Sequence, residues 1–493
     1  MKDSASRFRD LRDRLRNFQS LNTAAGLLEW DMEVLMPRGG GEARALQFGA
    51  VMRAAHEVLV ADETGRLVEE LAGAARAAAP DDADAALWRW AEREYRRRRR
   101  QPSAFVEELA SHCSRAQEVW VDARARKDYA LFRPELERML ELKRRQAGYV
   151  GDFADPYDAW LEEYEPGMTT SAVETLFAGL KPGLVALVSA VAERAGSARL
   201  PKLTGAFPVD RQRVFGEEIA RAMGFDFERG RLDVSAHPFS AAISRDDVRL
   251  TTRYREELPF SALFGVMHEA GHGLYEQNIS DELKHTPLCH GATMAAHESQ
   301  SRLWENLVGR SRGFWKRFLP RFQELFPATV GLSPEDMYRA VNRVERSFIR
   351  VEADELTYSL HVMLRFDLER ALLAGRVSAA DLPDAWAAKS REYFGVVPPD
   401  AASGVLQDVH WAAGLLGYFP TYAIGNMISV QLFEAAPKTD DYSVLLGWLR
   451  ENVHRHGRKF GAEELVRRAT GAPISPAPYL RYLNAKFGEL YGL

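Results

Sequence analysis

From about residue 7 to 150 the chain is dominated by Leu, Ala, Glu and Arg, with apolar positions returning every three to four residues, the spacing that lines one face of an α-helix. Breaks fall at Met36-Pro37-Arg38-Gly39-Gly40-Gly41 and near Ala79-Pro80-Asp81-Asp82, where proline and glycine interrupt helical hydrogen bonding. Two further helix starts are legible. Ser171 is followed three residues later by Glu174, the spacing of a reciprocal cap, and Ser333-Pro334-Glu335-Asp336 puts proline at the first helical turn, where its missing N–H costs nothing. Helical patterns also fill the region after about 258, interrupted at Val397-Pro398-Pro399-Asp400 and between Gly404 and Gly417. Only the stretch at about 229–254, RGRLDVSAHPFSAAISRDDVRLTTRY, reads as short alternating segments rich in Val, Leu, Ile and Thr, so two or three short strands are expected there. The expected fold class is mostly α with a small sheet.

Length and charge narrow the choices. At 493 residues the chain has room for about three average domains or for one large helical body. No internal repeat, low-complexity tract or long linker divides it, so a single unit over 1–493 is preferred. Its 46% hydrophobic and 27% charged residues are the balance of an ordinary globular protein. A net charge of −5 provides no global basic field for nucleic acid or an anionic membrane. The tract Arg96 to Arg100 follows Glu92 and Glu94 and reads as a solvated helix end rather than a nucleic-acid site. The N-terminal MKDSASRFRDLRDRLRNF carries charge where a secretory signal needs an apolar run, and only Cys113 and Cys289 are present, so a cytoplasmic, reducing setting is expected. The apolar tract at about 412–433 contains Pro420, Thr421, Asn426, Ser429 and Gln431 and is not expected to span a membrane.

The chemistry concentrates at His268-Glu269-Ala270-Gly271-His272. On a helix this H-E-x-x-H spacing puts both imidazoles on one face, one turn apart, where they can share a tetrahedral ion. Glu269 lies about 100° round the helix, close enough to take a proton from water without being a ligand. A catalytic site needs one more protein ligand. Spacing leaves four candidates open: Glu298 in His297-Glu298-Ser299-Gln300-Ser301, together with His285, His290 and His297 itself.

Six short motifs now stand in order: His237-Pro238-Phe239; Asp247-Val248-Arg249-Leu250-Thr251; the H-E-x-x-H; His297-Glu298-Ser299-Gln300-Ser301; Ile349-Arg350-Val351-Glu352-Ala353-Asp354; and Gly404-Val405-Leu406-Gln407-Asp408-Val409-His410-Trp411. In these, and in Trp30-Asp31 with Met36-Pro37, the chain resembles the carboxypeptidase Taq family of zinc metallocarboxypeptidases over nearly its whole length. The resemblance implies an almost all-helical body split by a deep active-site groove with a small antiparallel sheet near the metal site. It implies Zn2+, with Co2+ or Mn2+ as substitutes, held by His268, His272 and Glu298. It also implies release of single C-terminal amino acids with broad specificity and poor cleavage next to proline, and a homodimer. One position departs from many glutamate-ligand zincins, which place an acid four residues after the third ligand to orient a zinc histidine; here that residue is Arg302.

Further roles follow from the reaction. A free terminal carboxylate is best met by a guanidinium, which points to Arg350, expected to open a helix, with Arg249 supporting or facing substrate. Gln407 and Asp408 count with them as substrate-binding. An oxyanion needs a fixed donor, for which Tyr422 or Tyr418 with His410 is expected. His237 is a weaker substrate-binding candidate, since a histidine before proline also simply ends a strand. The alternatives are a zinc endopeptidase or dipeptidyl-releasing peptidase, or a non-catalytic peptide- or RNA-binding scaffold. The expected partners are peptides with a free C-terminus, with neither nucleic acid nor membrane.

Overall fold

The computed structural model describes residues 3–196, 200, 201, 203 and 205–493. The chain passes back and forth between two compact units, the first built from Met1–Arg98, Pro201–Val341 and Leu432–Ile474, the second from Arg99–Leu200, Asn342–Gln431 and Ser475–Leu493. Both are mostly helical, as the periodicity implies.

In the first unit the N-terminal helices break where proline and glycine stand, after Val34 and between Ala77 and Ala83. The basic tract closes the helix Ala83–Arg99, and its charges are spent locally: Arg96 pairs with Glu92 at 2.8 Å and Arg98 with Glu94 at 3.3 Å. The strands fall where alternation placed them: β1 (Gly230–Val234), β2 (Ser240–Ser244) and β3 (Asp247–Thr252). The sheet is mixed rather than antiparallel, in the order β1-β3-β2, with β1 parallel and β2 antiparallel to the central β3. The cause is local. Arg245-Asp246 joins β2 to β3 as a hairpin, which forces antiparallel pairing. The segment Ser235–Phe239 instead carries the chain over the end of β3 to its other edge. Thr251 ties that crossing down: its hydroxyl accepts from the Phe239 amide at 2.9 Å and lies 2.7 Å from the Ser235 hydroxyl oxygen.

Val248 and Leu250 of β3 are fully buried, on the face packed against the helix Pro259–Gln277. That helix is buried on nearly every side, as expected for one running through a core rather than over a surface. It comes close to the helix Met294–Arg302 at Gly271, where a β-carbon would stand 2.7 Å from both the Gln300 carbonyl oxygen and the Ser301 Cα. Only a residue without a side chain permits that approach.

In the second unit the helix Thr170–Arg194 is capped by Thr169, whose hydroxyl accepts from the Ala172 amide at 3.2 Å; the Ser171–Glu174 pair falls inside the first turn instead. This helix is long and apolar enough, by length and composition, to cross a membrane. Val173, Phe177, Leu180, Leu184 and Leu187 are nevertheless buried on the side that packs against Pro476–Tyr491 and Tyr358–Leu373. The expected interruptions at 397–400 and 404–417 are irregular chain, and the apolar tract at 412–433 divides into such chain and the helix Pro420–Ala435. Arg350 does not open a long helix. It starts a single 3-10 turn, Arg350–Glu352, and the following helix begins only at Tyr358. Asp354 intervenes, its carboxylate accepting from the Leu356 and Thr357 amides at 3.0 Å each just before the helix.

Candidate active site

The helix Pro259–Gln277 places His268 and His272 one turn apart, with ring centroids separated by 4.9 Å. Glu298 enters from the helix Met294–Arg302, and its Oε2 stands 3.6 Å from the Nε2 of both His268 and His272. These three groups are the set among the described residues whose donor atoms converge closely enough for one ion. A tetrahedral zinc with bonds of about 2.0–2.1 Å separates its ligand atoms by roughly 3.3–3.4 Å. The observed spacing fits such an ion with small adjustments. His285 is exposed in a loop, His290 faces Glu276, and His297 bonds to His272, so none of the three alternative ligands joins the group.

Each histidine is oriented through its other nitrogen. His268 Nδ1 lies 3.0 Å from Glu305 Oε2, and His272 Nδ1 lies 2.6 Å from His297 Nδ1. Glu305 comes from a π-helical segment, Leu303–Gly309, that continues the Glu298 helix; such wide turns recur at functional sites because they re-aim side chains. Arg302 is the link between the two acids, its Nε donating to Glu298 Oε1 at 2.7 Å and its Nη1 to Glu305 Oε2 at 3.1 Å. Arg310 adds a contact to Glu305 Oε1 at 3.2 Å. Arg302 therefore steadies Glu298, and the acid that orients His268 stands three residues further on.

The three buried carboxyl groups are driven apart in acidity. Burial raises Glu269 to about 7, offset in part by the charge of His268. Burial also opposes ionisation of Glu298, but Arg302 and His268 outweigh it and hold that carboxylate well below the ordinary range. Glu305 is brought down to about 2 in the same manner, chiefly by Arg302 against burial. Burial lowers His272 to about 3, whereas for His268 it is overcome by Glu298 and Glu305, which raise it. Two carboxylates are thus fixed as anions while the third, Glu269, is poised to exchange a proton near neutrality. Such divergent environments mark an acid–base site.

The second unit gathers another set. Arg350, 5% exposed, directs Nε and Nη2 to Asp408 Oδ1 at 3.1 and 2.9 Å, and Nη1 to the Tyr358 hydroxyl at 3.0 Å. Its backbone amide donates to Gln407 Oε1 at 2.8 Å. Arg365, fully buried, takes the other oxygen of Asp408 through Nε at 2.7 Å. Burial opposes the Asp408 charge, but the two guanidinium groups hold its carboxyl far below its usual value. Two guanidinium groups therefore share one carboxylate in a buried place. Around it stand the rings of Phe419 and Tyr422, 5.5 and 5.1 Å from the Arg350 guanidinium, with Tyr418 packed on Tyr422 at 5.2 Å. The His410 ring lies 4.6 Å from that of Phe419 and its Nδ1 is buried without a hydrogen bond. Burial lowers His410 to about 4, so it is neutral at physiological pH.

Arg249 and His237 belong to neither set. Arg249 is held by both oxygens of Asp247 at 2.9 Å and stacks 4.3 Å from the Trp30 ring. His237 is exposed, and its carbonyl accepts from the Ser235 hydroxyl at 2.6 Å.

The family model described as carboxypeptidase Taq (M32) metallopeptidase matches residues 10–487. The chain belongs to that family. It is 41% identical to thermostable carboxypeptidase 1 of Thermus thermophilus across 98% of this chain and 99% of the relative. It is 37% identical to carboxypeptidase 1 of Bacillus subtilis across 97% of each. The crystal structure of the M32 carboxypeptidase from Deinococcus radiodurans superposes with a TM-score of 0.94 at 40% identity, covering 99% of this chain and 100% of that one. This M32 member is a peptide hydrolase of the metallocarboxypeptidase class, and the family implies a metal ion.

The motifs pass over four residues of these two clusters: Glu305, Glu276, Tyr358 and Arg365. For Glu305 a signal exists. It lies seven residues after Glu298, two helical turns on and so on the same face. Arg365 stands seven after Tyr358, but an arginine inside a helix carries no mark of being buried.

Proposed function

We propose that this chain is a zinc carboxypeptidase that removes single amino acids from the free C-terminus of peptides with broad side-chain tolerance. The observation that carries the reading is one carboxylate oxygen of Glu298 equidistant from two imidazole nitrogens, with the buried Glu269 on the same helix. His268, His272 and Glu298 are the residues that would hold the ion, with Co2+ or Mn2+ as substitutes. When bound, zinc supplies a Lewis acid that makes water more acidic and polarises a carbonyl.

The chain's own residues do the rest. Glu269 takes a proton from the attacking water and returns it to the nitrogen of the departing amino acid. Its neighbours act on it through charge rather than through a hydrogen bond, which leaves the carboxylate available for that exchange. Recognition of the terminal carboxylate is assigned to Arg350, whose planar guanidinium is the group best matched to a carboxylate and is fixed in place by Asp408. Gln407 and Asp408 set the position of Arg350. Neutral His410 with Tyr422 or Tyr418 is assigned to donation toward the oxyanion. Arg249, on β3, and His237, in the crossing before β2, are kept as the lesser substrate-binding candidates. A homodimer in a cytoplasmic setting, with peptides as partners and neither nucleic acid nor membrane, completes the proposal; both cysteines are free thiols.

The test is mass spectrometry of a peptide ladder digested by metal-loaded and metal-stripped protein. Stepwise loss of single C-terminal residues only with metal is the expected result. Internal fragments or dipeptides would replace the reading by an endopeptidase or dipeptidyl-releasing one, and no hydrolysis in either state would favour a non-catalytic scaffold.

A further inference from the structure

His272 Nδ1 does not meet a carboxylate or a carbonyl. It meets a second imidazole, His297 Nδ1, at 2.6 Å. The other nitrogen of His297 lies 2.8 Å from Glu276 Oε1, and Glu276 is on the same helix as His272, one turn later. The path leaves the metal helix through one histidine and returns to it through another.

The proton positions along this path are determined by what each group can do. Glu276 is 3% exposed, and the Gly291 amide also donates to its Oε1 at 2.8 Å. The Gly291 amide can only donate, and His290 and His297 hold the carboxyl ionised against its burial, so Oε1 belongs to a group that only accepts. His297 must therefore carry its hydrogen on Nε2. A neutral imidazole with hydrogen on Nε2 has a lone pair on Nδ1, so in the pair at 2.6 Å the donor is His272 Nδ1–H. That in turn leaves the lone pair of His272 on Nε2, the nitrogen that faces Glu298. The reverse arrangement puts a hydrogen on His272 Nε2 and destroys it as a ligand.

The surroundings of Glu276 hold it for this task. Burial opposes its charge, but His290 and His297 outweigh that and keep it ionised. The His290 Nδ1 stands 3.4 Å from the second oxygen, and its Nε2 is 2.8 Å from the side-chain amide nitrogen of Gln19, an acceptor position that places the His290 hydrogen on the Glu276 side. The His297 ring is confined between the Tyr275 ring, 5.2 Å away, and Gly291, where a β-carbon would stand 2.4 Å from His297 Cδ2.

We infer that Glu276 and His297 are positioning residues for the metal: Glu276 selects the tautomer of His297, and His297 selects the tautomer of His272 that presents Nε2 to the ion. The inference rests on His272 being a metal ligand, as proposed above.

The experiment has two arms. In zinc-loaded wild-type protein with 15N-labelled histidine, side-chain NMR is expected to show His297 with its hydrogen on Nε2 and His272 with its hydrogen on Nδ1; a His297 bearing hydrogen on Nδ1 overturns the inference, whatever any variant does. In the second arm Zn2+ affinity is measured by competition with a chelator for the wild type, Glu276→Gln, His297→Gln and the double variant. Each single change is expected to weaken Zn2+ binding by about 10–100-fold, the usual range for an outer partner of a metal ligand. The double variant is expected to be no weaker than His297→Gln alone, because Glu276 acts through His297; losses that multiply would show that Glu276 acts by another route and overturn the relay. Failure of the ligand assignment itself reads differently: His272→Ala would then bind Zn2+ as the wild type does.

Discussion

Gly271 faces Gln300 so closely that a β-carbon on the glycine would stand 2.7 Å from the Gln300 carbonyl oxygen. The obstacle is backbone, which cannot rotate aside as a side chain does. The same crossing brings Glu298 Oε2 within 3.6 Å of the Nε2 of both His268 and His272. Gly271→Ala should therefore separate the two helices and pull the third ligand away. We expect a destabilisation of about 1–3 kcal/mol, the usual range for overpacking, together with weaker Zn2+ binding. A chelator competition and a thermal melt measure the two. An unchanged zinc affinity in this variant would show that the approach at Gly271 does not set the position of Glu298.

Glu305 makes the analogous prediction for His268. Its Oε2 holds the His268 Nδ1 and its Oε1 is held by Arg310, so Glu305→Gln keeps the shape while removing the charge that fixes the hydrogen on Nδ1. The loss in Zn2+ affinity should be about 10–100-fold. At saturating zinc much of the activity should return, which separates a positioning effect from a part in the reaction; activity that stays lost in zinc-saturated protein would contradict this role.

These two residues also show what the sequence makes legible and what it conceals. The H-E-x-x-H helix can be read directly because helical geometry converts a four-residue spacing into adjacency without reference to the rest of the fold. Short strands at 229–254 can be read for the same reason, since alternation is local. The pairing of β1 with β3 cannot, because it depends on the path Ser235–Phe239 takes over the end of β3 and on Thr251, which lies 12 residues from Phe239 and 16 from Ser235. Glu298 could not be separated from three histidines by spacing, and its choice depends on a helix crossing that Gly271 makes possible. Arg350 was readable as an arginine in a motif but not as the start of a 3-10 turn, because the helix start is set further on, by Asp354 accepting from the Leu356 and Thr357 amides. Arg365 gave no signal at all: only the fold shows that it shares Asp408.

Arg350 and Arg365 stand on opposite oxygens of Asp408, and carboxylate recognition by Arg350 can be tested directly. Arg350→Ala should reduce kcat/KM on free-acid peptides about 10–100-fold more than on the matching C-terminal amides, the range for a hydrogen bond to a charged group. Equal losses on both substrates would remove carboxylate recognition from Arg350 and leave it a structural part of its unit.

Proton release on metal binding tests Glu269 without relying on turnover. In metal-stripped protein burial raises Glu269 to about 7, and Glu298 with Glu305 overcomes burial to raise His268 above its ordinary value. At pH 6 both groups therefore hold protons, whereas His272, lowered to about 3, does not. A divalent cation favours the neutral imidazole at His268, which must give up its proton to bind, and favours the ionised carboxylate at Glu269. Zn2+ uptake at pH 6 should release protons from both, and affinity should fall as pH is lowered further because protons compete with metal. The Glu269→Gln variant has no carboxyl proton to lose, so it should release about one fewer while still binding Zn2+ and losing about 10²–10⁴-fold in kcat. Calorimetry in buffers of different ionisation enthalpy counts the protons. An equal count for variant and wild type would mean that Glu269 is already ionised in the stripped protein, and substantial surviving turnover in the variant would remove it as the base.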